Sequence, residues 1–237
     1  MILPTIRASL TRSDALHLVD LLGREDPELR RAARERLEEH GVDALLDDPR
    51  VRNALLTDPD VRVSPGIIFF VLVRQALLEG GVDDAEITDF VASLVLAFGR
   101  ARAAYRPSEG DDAEYFYLVD LLTQLRDADA RRAFLLRSHL GNFSLWLAGL
   151  FPDYLDTRRR RGGPSLDYFD RIGASGYRAA AKSREAEALG VERVFSEVGQ
   201  DFVRVRHALN RVSERVLWPA GGDPVGRLLR GVEREHG

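Results

Sequence analysis

The chain has 237 residues, 45% hydrophobic and 30% charged, a formal net charge of −4 and no cysteine. That balance belongs to a chain able to bury a sizeable core rather than to a disordered one. The charge argues against general nucleic-acid binding, and the lack of cysteine removes disulfides, thiolate metal sites and cysteine nucleophiles.

From the N-terminus, Pro4 and Arg7 interrupt any apolar leader. The longest uninterrupted apolar run, Ile67 to Val73, is far short of the ~20 residues that span a bilayer. The expectation is a soluble, cytoplasmic protein without a transmembrane segment. Lys182 is the single lysine beside 33 arginines, a skew that fits a GC-rich bacterial genome and leaves little room for lysine-based catalysis.

Helical periodicity runs almost throughout, with no alternating strand pattern or hairpin chemistry against it. It predicts helices over 13–24, 27–40, 49–57, 65–79, 84–105, 112–127, 129–160, 165–189, 191–217 and 224–235. Asp26-Pro27, Asp48-Pro49, Asp58-Pro59 and Asp223-Pro224 are helix starts: the carboxylate accepts from free first-turn amides, and proline there loses no needed donor. Gly41, Gly80-Gly81, Gly110, Gly162-Gly163, Gly190 and Gly221-Gly222 are stops. The reading is all-α, a single-domain irregular bundle of about nine or ten helices, with residues 1–62 as a candidate loosely packed N-terminal helical subdomain. The Asp-Pro starts are spaced by 22 and 10 residues, whereas a HEAT-like solenoid needs a near-constant period of about 40. In 191–217, Val191, Val194, Val198, Phe202, Val205, Leu209, Val212 and Val216 form one apolar stripe. It either closes the protein's own core or is offered to a partner.

The most apolar helix, beginning near Ala130, carries His139, Asn142 and Trp146 on one stripe beside the apolar stripe of Leu136, Leu140, Phe143, Leu147 and Leu150. Polar groups in a core need partners. These three residues are the ligand-pocket candidates, with His139 as acid/base, metal or haem ligand and Asn142 orienting a ligand. The plainer reading is a core histidine bonded to a neighbouring helix that Gly141, Ala148 and Gly149 let approach closely. The histidines are His17, His40, His139, His207 and His236, with no HExxH, and the one Glu-x-x-His is Glu233 with His236. A carboxylate di-iron bundle needs two such pairs, so no metal or other cofactor is implied. His207 falls off its helix's apolar stripe and reads as solvated. G-x-S-x-G, Walker and dinucleotide motifs are absent, and the doublets Asp47-Asp48, Asp83-Asp84 and Asp111-Asp112 read as helix caps.

Arg158, Arg159, Arg160 and Arg161 precede Gly162-Gly163-Pro164. Such a run grips phosphate, RNA backbone or an anionic membrane, or complements a helix C-terminus. With Tyr154, Tyr168 and Tyr177 nearby, the arginines make an interaction-surface candidate, because Tyr and Arg favour interface hot spots.

The positions Leu140, Gly141, Asn142, Phe143, Gly149, Leu150, Phe151, Tyr168, Phe169, Gly173 and Tyr177 form an LG-N/D-aromatic … GLFP … Y-Y/F … G-x-x-Y pattern. In it the chain resembles an uncharacterised family of bacterial all-helical proteins, best between Leu136 and Tyr177. The resemblance carries no activity, cofactor or catalytic residue. The function expected is non-enzymatic, through protein–protein interaction or self-assembly. The alternatives are a helical pocket for an apolar or haem-like ligand near His139, and an enzyme using His139 as acid/base with Asp120.

Overall fold

The structure is a computed structural model that describes residues 1–24, 26–57, 63–99, 103–107 and 118–214. Among these residues all regular structure is helical, in fourteen α-helices and one 3-10 turn at Ala103–Tyr105. The helices are α1 (Ile6–Ser9), α2 (Arg12–Leu22), α3 (Pro27–His40), α4 (Asp43–Leu46), α5 (Pro49–Thr57), α6 (Pro65–Glu79) and α7 (Ala85–Phe98). They continue with α8 (Leu118–Gln124), α9 (Ala130–Leu150), α10 (Pro152–Arg160), α11 (Leu166–Ala181), α12 (Arg184–Ala188), α13 (Glu192–Gln200) and α14 (Phe202–Val212). Of the expected elements and caps, 224–235, Asp58-Pro59, Asp111-Asp112, Gly110 and Val216 lie outside the described residues.

Local chemistry sets most helix starts. Asp26 accepts from the amides of Glu28 and Leu29, Asp48 from Arg50, Asp84 from Glu86 and Ile87, and Asp129 from Arg132. Each satisfies donors that the first turn leaves open. Gly41, after α3, takes φ 76, a left-handed conformation that a side chain would strain.

The helix count exceeds the expected nine or ten because three predicted helices are interrupted and two short ones, α1 and α4, carry little periodic signal. The predicted 129–160 helix divides at Phe151 (φ −129, ψ 49), since a residue before proline is pushed out of the α region. The predicted 165–189 helix divides where Ser183 accepts from the Ala186 amide and starts α12. The predicted seven-turn stripe of 191–217 divides at Asp201 (φ −97, ψ 23). Val191, Val194 and Val198 serve one helix, and Phe202, Val205, Leu209 and Val212 serve the next; all are buried. The bend lets α13 pack on α7 and α11, while α14 packs on α6 and α9.

The longest helix, α9, packs against α11 and α14, with α7, α8 and α10 also touching it. Its crossing with α11 has no room for a side chain at Gly141 or Gly176. A Cβ on Gly176 would lie 2.7 Å from the Arg137 carbonyl oxygen, and one on Gly141 would lie 2.6 Å from the Tyr177 ring. Around Tyr177 the rings of Phe90, Phe195 and Phe202 sit at 5.8, 5.4 and 6.1 Å between centroids, distances at which aromatic pairs attract beyond their buried area. Leu18, Val19, Leu45, Leu46 and Val51 from the first five helices are fully buried in the same hydrophobic cluster as Leu136 and Val205.

Polar groups tie helix ends into this packing. Asp89, buried on α7, accepts from the amides of Ile6 and Arg7 and so caps α1. Asn210 and Ser213 donate to the carbonyls of Ala148, Gly149 and Leu150, the groups left open where α9 ends. Asp47 and Asp83, expected as helix caps, instead hold the guanidinium of Arg74 at 2.7 Å each. Arg74 is 6% exposed, so its charge is compensated where water is scarce.

Candidate functional site

The three ligand-pocket candidates do not face one cavity. His139 is 2% exposed and enclosed by aromatic rings, with Phe98 at 5.9 Å and Phe143 at 6.2 Å. Asn142, 3% exposed, turns to the neighbouring helix and accepts a 2.9 Å hydrogen bond from the Tyr177 hydroxyl. The two share a stripe in sequence, yet they serve different interfaces, α9 with α7 and α9 with α11. Asp120, the expected acidic partner of His139, is exposed on α8 while His139 is enclosed, so the pair is not formed. Among the described residues no group of three or more His, Asp or Glu side chains is placed to hold a metal ion. His207 is exposed, as expected, beside Arg206. Partial desolvation of the ring first and the Arg206 charge second hold its pKa below the ordinary histidine value.

Trp146 is different. It is half-buried and sits in a chain of rings: Phe98 at 5.7 Å, Phe143 at 6.0 Å and Phe151 at 5.0 Å. With Tyr105, Phe151, Tyr154 and Arg158 it lines an open concavity of about 630 Å³. Adjoining this shelf is a pit of about 140 Å³, walled by Leu118, Val119, Phe143, Leu147, Leu155 and Phe169, with Tyr154, Tyr168 and Arg158 at its edge. Tyr154 and Val119 are 48% and 60% exposed.

The pit exists because of how the chain bends at Phe151. The Pro152 break turns α10 away from the axis of α9, Leu155 becomes the one buried side chain of α10, and the short α8 meets α9 alongside. Arg158 folds back over Tyr154, donating to its hydroxyl at 2.9 Å with the guanidinium 5.7 Å from the ring centre, a cation–π arrangement. The i, i+4 spacing on α10 makes this possible.

The interaction-surface candidates therefore separate. Tyr154, Arg158 and Tyr168 come together at the groove. Arg159 and Arg160 point to Asp156, at 3.0 and 2.7 Å, and their hydrogen bonds hold its carboxyl below the usual carboxylate range. Arg161 follows as the exposed end of the helix. Tyr177 is corrected: it is fully buried, and burial drives its phenol pKa well above the ordinary value. Nearness in sequence grouped Tyr177 with the arginines, but α11 carries it inward to the α9 crossing.

Phe143, Leu147, Leu155 and Val119 were not foreseen as site residues. Nothing distinguishes them locally from core apolar residues; only the bend at Phe151 leaves one edge of each at a concavity. The groove offers apolar volume, aromatic faces and a cationic rim, and among the described residues it brings no nucleophile and base together. No protein-family model, no curated protein and no solved structure matches the chain.

Proposed function

We propose that the protein acts by binding a protein partner in the groove formed by α8, α9, α10 and α11, without chemistry of its own. The occupant is an amphipathic segment that seats one apolar side chain between Phe143, Leu147, Leu155 and Phe169 and lays acidic flanks over the arginines of α10. The observation that carries this reading is the convergence of Trp146, Tyr154 and Arg158 on one concavity, since these three residue types dominate interface hot spots.

Size favours a side chain over a small molecule. Pockets that enclose drug-sized ligands measure about 300–1,000 Å³, whereas the pit holds about 140 Å³. The larger shelf is partly open and suits a helix or extended segment laid across it. Charge favours an acidic segment: Arg158 to Arg161 outnumber Asp153 and Asp156 on a chain whose net charge is negative.

Photo-crosslinking residues placed at Val119 and Tyr154, with Leu189 as an exposed control, test the reading. Adducts to one protein from both groove positions and not from Leu189 are expected. That purified protein is then expected to lose at least about tenfold in affinity with Val119→Arg or Tyr154→Ala, as for central interface residues. Adducts between two copies of the chain would make self-association the groove's role. Identical adducts from all three positions, or an affinity indifferent to both substitutions, would overturn it.

A further inference from the structure

A second concavity shares no residue with the aromatic groove. It lies beside the close contacts of α11 with α9 and α13. At the first, Gly176 meets the Arg137 carbonyl; at the second, a Cβ on Gly199 would fall 2.8 Å from Cγ of Arg178. The cleft measures about 620 Å³, and Arg137, Arg178 and Lys182 line it together with Ser175 and Ser196. Among the described residues Glu192 is the one carboxylate in the lining.

Three cations thus meet one acid, and among the described residues none of the three is in an ion pair. Arg36, Arg50, Arg74, Arg193 and Arg206 all are. Arg178 and Lys182, the residue that caps the end of α11, stand four positions apart, where like charges repel. The C-terminus of α11 favours cations and accounts for the position of Lys182. It does not account for Arg137, which is seven residues into α9 and comes from a different helix. The Arg178 stem lies against Gly199, and the residue is exposed.

We infer that this cleft binds a compact polyanion carrying two or more phosphate groups. Guanidinium forks match phosphate oxygens, and lysine adds a mobile point charge; the serine hydroxyls can donate to the same oxygens. The cleft, as open as the aromatic shelf, has room for an ion of that size. Among the described residues no aromatic side chain lines the cleft, and none of them offers a stacking face for a nucleobase. The site is a function additional to the groove and does not depend on it.

Isothermal titration of the full chain with inorganic tripolyphosphate, and separately with a hexose bisphosphate, tests the assignment and distinguishes an inorganic from an organic ligand. One-to-one binding that weakens with added salt is expected. Lys182→Gln and Arg137→Gln should each weaken it about tenfold or more, the loss that follows removal of a charge-assisted contact. Arg160→Gln, on α10 and paired with Asp156, should leave it unchanged. Lys182 is exposed, so Lys182→Gln tests the site in a chain that still folds; circular dichroism checks this. The inference is overturned by absence of heat at millimolar concentrations of both ligands. Equal weakening by Arg160→Gln, or tighter binding of citrate than of tripolyphosphate, would overturn it too.

Discussion

At the scale of single residues, the polar groups inside α9 are resolved by partners remote in sequence. Asn142 and Tyr177 are 35 positions apart and form one buried hydrogen bond. Replacing Asn142 by Leu strands the phenol hydroxyl and is expected to cost about 1–3 kcal/mol. Tyr177→Phe should cost nearer 1 kcal/mol, and the two losses should be strongly non-additive in a double-mutant cycle read by urea denaturation. Additive losses would show that the bond contributes nothing. Asp48 carries a pH prediction. Its hydrogen bond to the Arg50 guanidinium lowers its pKa, burial opposes this, and the Arg50 amide lowers it further, leaving a net decrease. A folded pKa below the unfolded value of about 3.9 gives stability that is complete above that value and lost as pH falls through the lower one. Asp48→Ala should therefore cost about 1 kcal/mol at pH 7, the usual worth of a helix cap, and progressively less as both proteins are measured from pH 5 towards pH 2. A constant difference across that range would show that the carboxylate's ionisation is irrelevant.

At the scale of elements, starts were more legible than ends. Asp-Pro starts act through hydrogen bonds and ring geometry confined to a few residues, so Asp26 and Asp48 can be read directly. Interruptions are harder, because helical periodicity continues across them. The apolar stripe runs unbroken past Asp201, and only the diverging faces of α7 and α11 on one side and α6 and α9 on the other explain the bend. The α9/α11 crossing yields a prediction in which two effects oppose each other. Gly176→Ala gains about 1 kcal/mol of helix propensity. Its methyl would nevertheless meet the backbone carbonyl of Arg137 at 2.7 Å and the Gly141 amide at 3.0 Å, neither of which can swing aside. Forced overpacking costs about 1–3 kcal/mol, so net destabilisation of up to about 2 kcal/mol is expected in chemical denaturation. A stabilised variant would mean that the two helices are not in close contact.

At the scale of the molecule, the aromatic groove separates residues that bind from residues that hold the fold. Val119→Arg and Tyr154→Ala alter exposed side chains and should leave the urea midpoint nearly unchanged, within about 0.5 kcal/mol. Leu155→Ala, at a residue 3% exposed, should cost about 2–5 kcal/mol. If the exposed pair destabilised the protein as much as Leu155→Ala, the groove would be part of the core. The cationic cleft is likewise a product of assembly, since Arg137 and Lys182 come from helices 45 positions apart in the chain and unremarkable in isolation.

By itself the sequence determined the all-helical class, the capped starts and the apolar faces, because these rest on 3.6-residue periodicity and on hydrogen bonds within one turn. It also singled out Tyr154, Arg158 and Tyr168, whose chemistry is visible in residue type. Only the tertiary structure decided that Tyr177 and Asn142 belong to the core, that His139 is walled by rings, and that Trp146 opens onto a groove. Those outcomes depend on which faces of distant helices meet, and that is set by close glycine contacts and chain bends whose effect appears when the helices pack.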